Sequence, residues 1–310
     1  MYTFLRPTVW CLLGASIVVT MAGCGSNNAG PVEIKTVSNR ADLISGGDVM
    51  LDIVLPPGGS AQALSVTVDG RDVSAAFREV VVGRLRGVVT GLKLGPNLIT
   101  ASTQNTSAAS LTVTNAPRHG PVISGAQVTP FYCATPLQQV ANGNQPALNA
   151  SGLSGSPDAN CNTASEFKLY YRTTATGCSL SLPDPTAGIN ALATTLPSNP
   201  VPPANLCFKP YTIGSTPSDM ATTTNDAGVT MPYIVRVERG TLNRGIYDIA
   251  VLYDPSKAWD PVSPQASWNG KVVFNFGAST GQPRRQARPA TAWSGSDLQL
   301  ARGVMIVANS

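Results

Sequence analysis

Short runs in which every second residue is apolar follow one another along the first third of the chain, separated by turn residues. In residues 64–68 the apolar positions alternate with small polar ones, and Asp69-Gly70 then provide a pair that favours a tight hairpin turn. Such alternation gives each strand one face for a core and one for water. The pattern predicts an all-β, immunoglobulin-like sandwich over residues 31–116, with strands at 33–37, 49–55, 64–68, 79–82, 86–90, 97–101 and 110–114.

Regular alternation is lost between residues 117 and 232, where Pro, Gly, Ser, Thr and Asn predominate. Only residues 166–173 predict a strand, with Phe167, Leu169 and Tyr171 on one side. Proline-rich pieces elsewhere in this stretch can form neither helix interiors nor central strands. We expect a loop-rich connecting region whose long loops lie on the surface.

Strand-like runs return in the last part of the chain. Four strands are predicted, at 233–239, 246–253, 271–276 and 304–308. Residues 240–245 join the first two as a hairpin. Residues 294–302 predict a short helix between the last two strands, with Ser294 or Ser296 as its N-cap, Leu298 and Ala301 on its inner face and Gly303 after its end. The order hairpin, strand, loop, helix, strand is the order in which an α/β-hydrolase fold begins.

The first residues have the three parts of a secretory signal. A short segment with one cation, Arg6, precedes an apolar stretch that ends at Met21, and small residues follow. The stretch is shorter than the roughly 20 residues that span a bilayer, so we expect a cleaved signal peptide over residues 1–23. Residues 21–24, Met-Ala-Gly-Cys, resemble a lipobox, in which the thiol of Cys24 accepts diacylglycerol before cleavage. An ordinary signal peptide with an incidental cysteine is the alternative.

The residues after Cys24 are small and flexible, as expected of a tether at 24–30 between a membrane surface and a folded domain. Gly25 and Ser26 follow the cysteine, and neither is the Asp that resembles an inner-membrane retention signal. We therefore expect an exported lipoprotein, anchored by the lipid on Cys24 in the outer membrane and facing the periplasm or the exterior.

Composition and charge agree with an exported, strand-rich protein. Only 12% of the residues are charged, and the formal net charge of +4 is small. Because the Lys and Arg residues are scattered along the chain, no basic face for nucleic acid is predicted.

Four of the six cysteines remain after the signal peptide is removed and Cys24 is acylated. An even number in an oxidising compartment predicts two disulfides. Three pairings are possible, and Cys133–Cys161 with Cys178–Cys207 is favoured, because each bond would close one of the two loop-rich stretches. A zinc site is not expected, since no spacing is C-x-x-C and the chain has one histidine. No other metal or cofactor is predicted.

One candidate for chemistry follows the third predicted strand of the last part. Residues 277–281, Gly-Ala-Ser-Thr-Gly, match the G-x-S-x-G pattern of a nucleophilic serine, here Ser279. No convincing helix opens behind it and no histidine follows it, and without a base its hydroxyl is a weak nucleophile. The loop after the third strand of such folds supplies an oxyanion-hole N–H, which Gly277 or Ala278 could provide. A plain glycine-rich turn is an equal alternative, and His119, alone in the connecting region, is expected to be structural or solvated.

Three segments resemble a secreted bacterial family of unknown function. They are residues 38–48, residues 232–248 and residues 268–271, of which the long central run is the most specific. Longer members of that family continue into an α/β-hydrolase region similar to tannases and feruloyl esterases. The resemblance covers nearly all of the mature chain and implies ester hydrolysis as the parent activity. It also implies that the serine, acid and histidine of the family lie beyond the position of Ser310.

The fold expected from these patterns is mixed, with a sandwich followed by an incomplete α/β-hydrolase-like domain with long, disulfide-stapled loops. The predicted divisions are a signal peptide at 1–23, a tether at 24–30, the sandwich at 31–116, the connecting region at 117–232 and the hydrolase-like part at 233–310. The predicted function is an exported lipoprotein that forms the N-terminal portion of an ester hydrolase and is catalytically incomplete. The alternative is a non-catalytic lipoprotein that binds a surface, a carbohydrate, an ester or a protein partner.

Overall fold

The computed structural model describes residues 29–136, 150–175, 207–276, 284–287, 289 and 293–309. The first nine strands are β1 Glu33–Thr36, β2 Ile44–Ser45, β3 Val49–Val54, β4 Ser65–Val68, β5 Arg71–Asp72, β6 Phe77–Val81, β7 Arg84–Val89, β8 Gly95–Ser102 and β9 Ala109–Ala116. The remaining strands are β10 Glu166–Arg172, β11 Phe208–Pro210, β12 Thr222–Thr224, β13 Thr230–Pro232, β14 Ile234–Leu242, β15 Gly245–Leu252, β16 Val272–Phe276 and β17 Met305–Asn309. Helical structure in the described residues consists of 3-10 turns at Ser74–Ala76 and Trp293–Ser296 and one short helix, α1, at Asp297–Ala301.

Two sheets share the first core. One is four-stranded, in the order β1-β3-β7-β6, and the other is five-stranded, in the order β2-β9-β8-β4-β5. Apolar side chains from both sheets form a single buried cluster, including Leu51 and Leu85 from the first and Val66, Ile99 and Val113 from the second. The seven strands predicted over residues 31–116 are all present, with ends that differ by a few residues.

The predicted hairpin turn at Asp69-Gly70 is confirmed. Thr67 pairs with Asp72 and Val68 with Arg71, which leaves Asp69 and Gly70 as a two-residue loop. Both have positive φ, 48° and 85°, the conformation of a type I′ turn whose twist matches that of the strands. The strand after the turn is only two residues long, so β4 pairs mainly with β8.

A six-stranded sheet, in the order β11-β10-β14-β15-β17-β16, forms the second main layer. Its pairs are antiparallel except for β16 and β17, which run parallel and are joined by the segment that contains α1. Strands β10 and β11 come from the stretch predicted as a connecting region. That stretch therefore contributes to the sheet, because the side chains Tyr170 and Phe208 complete its apolar core.

The hairpin connection predicted at residues 240–245 is shorter in the structure. Leu242 pairs with Gly245, so the turn consists of Asn243 and Arg244 alone. Both residues have positive φ, 48° and 65°, which again matches a type I′ turn. Gly240 lies inside β14, where a Cβ atom would come within 2.6 Å of the Tyr247 hydroxyl oxygen. Close packing therefore favours glycine at 240, whereas the sequence pattern had predicted a turn at this residue.

The predicted C-terminal helix is present, and Ala301 packs against the buried cluster as predicted, but Leu298, the other residue predicted for the inner face, does not. The chain enters through the 3-10 turn, and Leu300, fully buried, packs with Trp293 against the sheet, while Leu298 is 63% exposed. Ser296 occupies the N-cap position without a side-chain cap hydrogen bond. Gly303 ends the helix as predicted, with φ of 85° and a hydrogen bond from its N–H to the Leu300 carbonyl.

The fold is thus β-rich, with several sheets and one short helix in the described residues. None of the helices in this part of the chain is long and apolar enough to cross a bilayer. The predicted signal peptide, tether and lipidation site at Cys24 lie outside the described residues.

Strand β16 forms one edge of the six-stranded sheet, and Phe276 at its end is 87% exposed. The opposite edge, β11, carries Lys209 and Pro210, which discourage further strand pairing. We expect the purified chain to self-associate through β16 and Phe276→Lys to reduce this association, because a charge on an edge strand opposes strand addition.

Sedimentation velocity over a concentration series measures the effect. Val82→Lys is the matched control, since Val82 is a 99% exposed apolar residue away from this edge. Association that is equal in the parent and in Phe276→Lys would show that β16 is not the contact.

Candidate functional site

The parallel strands β16 and β17 end side by side, with Phe276 opposite Asn309. Asn309 also pairs with Tyr247, so the turn between β14 and β15 lies at the same end of the sheet. We call this end, formed by Phe276, Asn309 and the turn at Asn243 and Arg244, the carboxyl edge. Open sheets with parallel strands bind their ligands outside the carboxyl ends of those strands.

The loop predicted to carry chemistry starts at the carboxyl edge, directly after Phe276. Its candidate residues, Gly277, Ala278 and Ser279, lie outside the described residues, so their roles stay predictions. The described chain resumes at Arg284, whose carbonyl accepts a hydrogen bond from the Tyr132 N–H over 2.9 Å.

A buried ion pair lies next to the carboxyl edge. Arg239 of β14 stands opposite Asp248 of β15, and its guanidinium makes two hydrogen bonds of 2.6 Å to the two carboxylate oxygens. Each side chain is only 2% exposed. Because both charges are removed from water, each depends on the other for compensation.

Residues of β14 hold a second layer of chain over this edge. The Arg239 guanidinium donates to the Ser151 carbonyl over 3.4 Å. The Thr241 hydroxyl accepts from the Thr163 N–H over 2.8 Å and donates to the Thr163 carbonyl over 3.2 Å. The segment from residue 150 to residue 163 is thereby fixed against β14.

One of the two predicted disulfides is present in this layer. Cys133 and Cys161 are bonded, with Cα atoms 5.0 Å apart and a sequence separation of 28 residues. Cys207 is buried in the core of the six-stranded sheet. Its predicted partner, Cys178, lies outside the described residues, so the second disulfide stays a prediction.

His119 lies half-buried beside this layer. Hydrogen bonds from the side chain and backbone of Asn162 hold the pKa of Asp158 below its usual value, and the nearby His119 makes a smaller contribution. Within the described residues, no hydrogen bond links the His119 imidazole to a serine hydroxyl; Gln127 binds only its backbone carbonyl. The structure brings His119 near an acid but shows no nucleophile beside it.

The outward face of the sheet carries a polar network that the sequence patterns did not reveal. The Tyr247 hydroxyl donates to Glu238 over 3.1 Å and lies 3.0 Å from the Ser165 hydroxyl, which accepts from Arg118. Burial raises the pKa of the Tyr247 phenol, so it stays neutral and acts as a donor at physiological pH. Arg118 and Ser165 are far in sequence from the hairpin that carries Glu238 and Tyr247, and the four residues match no short motif, which is why no sequence signal grouped them.

Beside this network, Arg236 lies between two aromatic rings. Its guanidinium carbon is 4.4 Å from the ring centre of Phe167 and 4.3 Å from that of Trp259. Glu238 accepts a hydrogen bond from the same guanidinium over 3.1 Å. Stacking and ion pairing together hold Arg236 in one position, as expected of a structural cation.

Metal chemistry finds no support in the described part of the chain, where no group of three or more His, Cys, Asp or Glu side chains is arranged to hold an ion.

Comparison with known protein families gives a match for most of the chain. Residues 34–310 match the tannase-like family of unknown function DUF6351. This chain belongs to that family. The resemblance expected from the sequence is thus confirmed, and the tannase-like character of the family indicates a relation to hydrolases. No curated protein and no solved structure matches the chain.

The contribution of the Arg239–Asp248 ion pair to the stability of this tannase-like chain can be measured. We expect Arg239→Met to lower the free energy of unfolding by about 3–5 kcal/mol, because it leaves the buried Asp248 carboxylate without its partner. The double variant Arg239→Met, Asp248→Leu should lose less than the single variant, since it removes both charges.

Urea denaturation followed by tryptophan fluorescence measures these differences. The control is Arg302→Met, which breaks an ion pair with Asp226 in which the arginine side chain is 60% exposed, and it should cost much less than Arg239→Met, because exposed ion pairs contribute little to stability. A single variant as stable as this control would contradict the structural role of the buried pair.

Proposed function

We propose that this chain is an exported lipoprotein whose six-stranded sheet begins an α/β-hydrolase domain of the ester-hydrolase type. The proposal combines membership of a tannase-like family with the topology of that sheet and the place where its parallel strands end.

The strand order carries the proposal. Strands β14 and β15 form an antiparallel hairpin, β16 and β17 are parallel and connected through α1, and β17 lies between β15 and β16. An α/β-hydrolase sheet begins in this way, with a hairpin followed by parallel strands, the later of which pairs with the hairpin. The sequence order predicted such a domain, and the spatial order supports it.

This strand order supports a specific role for the loop after β16. In α/β-hydrolases the loop between the third strand and the following helix supplies one backbone N–H of the oxyanion hole. Gly277 and Ala278 occupy that place, directly after β16 and before α1. A donor there would stabilise the negative charge that develops on the ester carbonyl oxygen during attack. Ser279, in the same loop, is a weak candidate for a nucleophile.

Residues 1–310 do not complete a serine–histidine–acid triad in this proposal. The chain has one histidine, and in the described residues its imidazole has no hydroxyl partner. A serine hydroxyl without an adjacent base is a weak nucleophile. The chain by itself is therefore expected to bind or support an ester group without hydrolysing it.

Hydrolysis assays test this expectation. The purified chain should release product from p-nitrophenyl acetate and from a galloyl or feruloyl ester no faster than buffer does. Ser279→Ala and His119→Ala should behave like the parent, because neither residue belongs to a working triad. Turnover by the parent that disappears in both variants would show that the chain is a complete enzyme and would overturn the proposal.

Lipid anchoring is the second part of the proposal and depends on Cys24. In a bacterial host, the full chain should incorporate labelled palmitate and partition into the detergent phase of Triton X-114. Cys24→Ser should abolish both, while Cys11→Ser, which changes a cysteine inside the predicted signal peptide, should change neither. Equal labelling of Cys24→Ser and the parent would rule out lipidation at this residue.

A further inference from the structure

Gln286 is a polar side chain enclosed in the layer over the carboxyl edge. It is 1% exposed and is among the largest fully buried side chains of the molecule. Its Oε1 accepts a hydrogen bond from the Ala134 N–H over 3.0 Å, and its Nε2 donates to the Cys161 carbonyl over 2.9 Å. A backbone donor on one side and a backbone acceptor on the other determine the orientation of the amide.

The backbone around Gln286 is held as well. Its N–H donates to the Tyr132 carbonyl over 2.7 Å, and the Tyr132 N–H donates to the Arg284 carbonyl over 2.9 Å. Residues 284–286 therefore run beside residue 132 as a short parallel bridge. Arg284 also donates to the Thr129 carbonyl over 2.9 Å.

The two backbone groups that Gln286 joins belong to segments that the disulfide connects. Ala134 follows Cys133, and the accepting carbonyl is that of Cys161 itself. The amide spans a gap whose width the Cys133–Cys161 bond sets. A backbone hydrogen bond from the Ser151 N–H to the Thr135 carbonyl also joins the two segments, but beside Cys161 they are joined by the disulfide and by Gln286, whose two hydrogen bonds need both sides at the correct separation.

We propose that Gln286 and the Cys133–Cys161 disulfide form one redox-sensitive clamp, which holds residues 284–287 against the layer over the carboxyl edge only while the disulfide is intact. The clamp acts on the return path of the chain after β16, and it holds independently of whether this edge catalyses a reaction. Reduction by a dithiol converts the disulfide into two thiols with two electrons and two protons, while the dithiol becomes a disulfide itself.

The proposal can be tested locally, because two trypsin sites lie in the segment that the clamp holds. Arg284 and Arg285 are held by the bridge to Tyr132 in the oxidised protein. Proteolysis follows the population of locally opened chain. Loss of the disulfide should raise cleavage after Arg284 and Arg285 on the order of tenfold, because two hydrogen bonds of a buried amide are weakened together.

Trypsin digestion followed by mass spectrometry gives the rate at each site. Three samples should show the rise: the parent treated with dithiothreitol, the double variant Cys133→Ser, Cys161→Ser, and the oxidised variant Gln286→Met. The double variant separates this disulfide from any other that dithiothreitol reduces. Gln286→Met keeps the disulfide and the length of the side chain but removes both hydrogen bonds.

Two controls test whether the effect is confined to the clamp. Cleavage after Arg86, in β7 of the first core, should stay unchanged, and Gln299→Met, at an exposed position of α1, should behave like the parent. Unchanged cleavage at Arg284 and Arg285 in Gln286→Met would overturn the proposal. An equal rise at Arg86 would also overturn it, since the disulfide would then support the whole fold and not a local clamp.

Discussion

The hairpin of β14 and β15, with the buried Arg239–Asp248 pair across it, is the element on which the C-terminal half depends. Its strands pair with β10 on one side and β17 on the other, so it forms the centre of the six-stranded sheet. The same arginine reaches the Ser151 carbonyl and thereby ties the covering layer to the sheet. A buried charge pair contributes little net stability but penalises any arrangement in which the two strands slip in register, because one charge would then lose its partner.

The two faces of the sheet around this hairpin differ. One face packs Val235, Val237 and Ile306 against α1 and the aromatic residues Trp293 and Phe208. The other face carries a smaller apolar cluster around Leu169 and Ile234, together with the Tyr247 network, the stacked Arg236 and the exposed Phe276. Burial on the first face supplies the apolar core, whereas the second face and the carboxyl edge keep their polar groups paired through hydrogen bonds.

The covering layer shows how a chain with few charges can hold long loops in place. Residues 117–136 and 150–165 contain no strand or helix. They are held by one disulfide, a buried glutamine and backbone hydrogen bonds, which supplement the few apolar side chains buried there, such as Leu153. These contacts bring residues of three distant parts of the chain, around 132, 161 and 286, to one place.

Several features of this protein followed from the sequence alone. The strands of the first core, the Asp69-Gly70 turn and the Cys133–Cys161 pairing were predictable because period-two alternation, turn chemistry and loop closure act over short stretches or leave few choices. The family resemblance was likewise recognisable from three short segments, at 38–48, 232–248 and 268–271. The inclusion of β10 and β11 in the second sheet, the exposure of Leu298, and the convergence of Arg239, Gln286 and Tyr247 on the carboxyl edge were decided only by tertiary structure. Each of these depends on which distant strand or segment lies opposite, and no local pattern of apolar and polar residues encodes that partner.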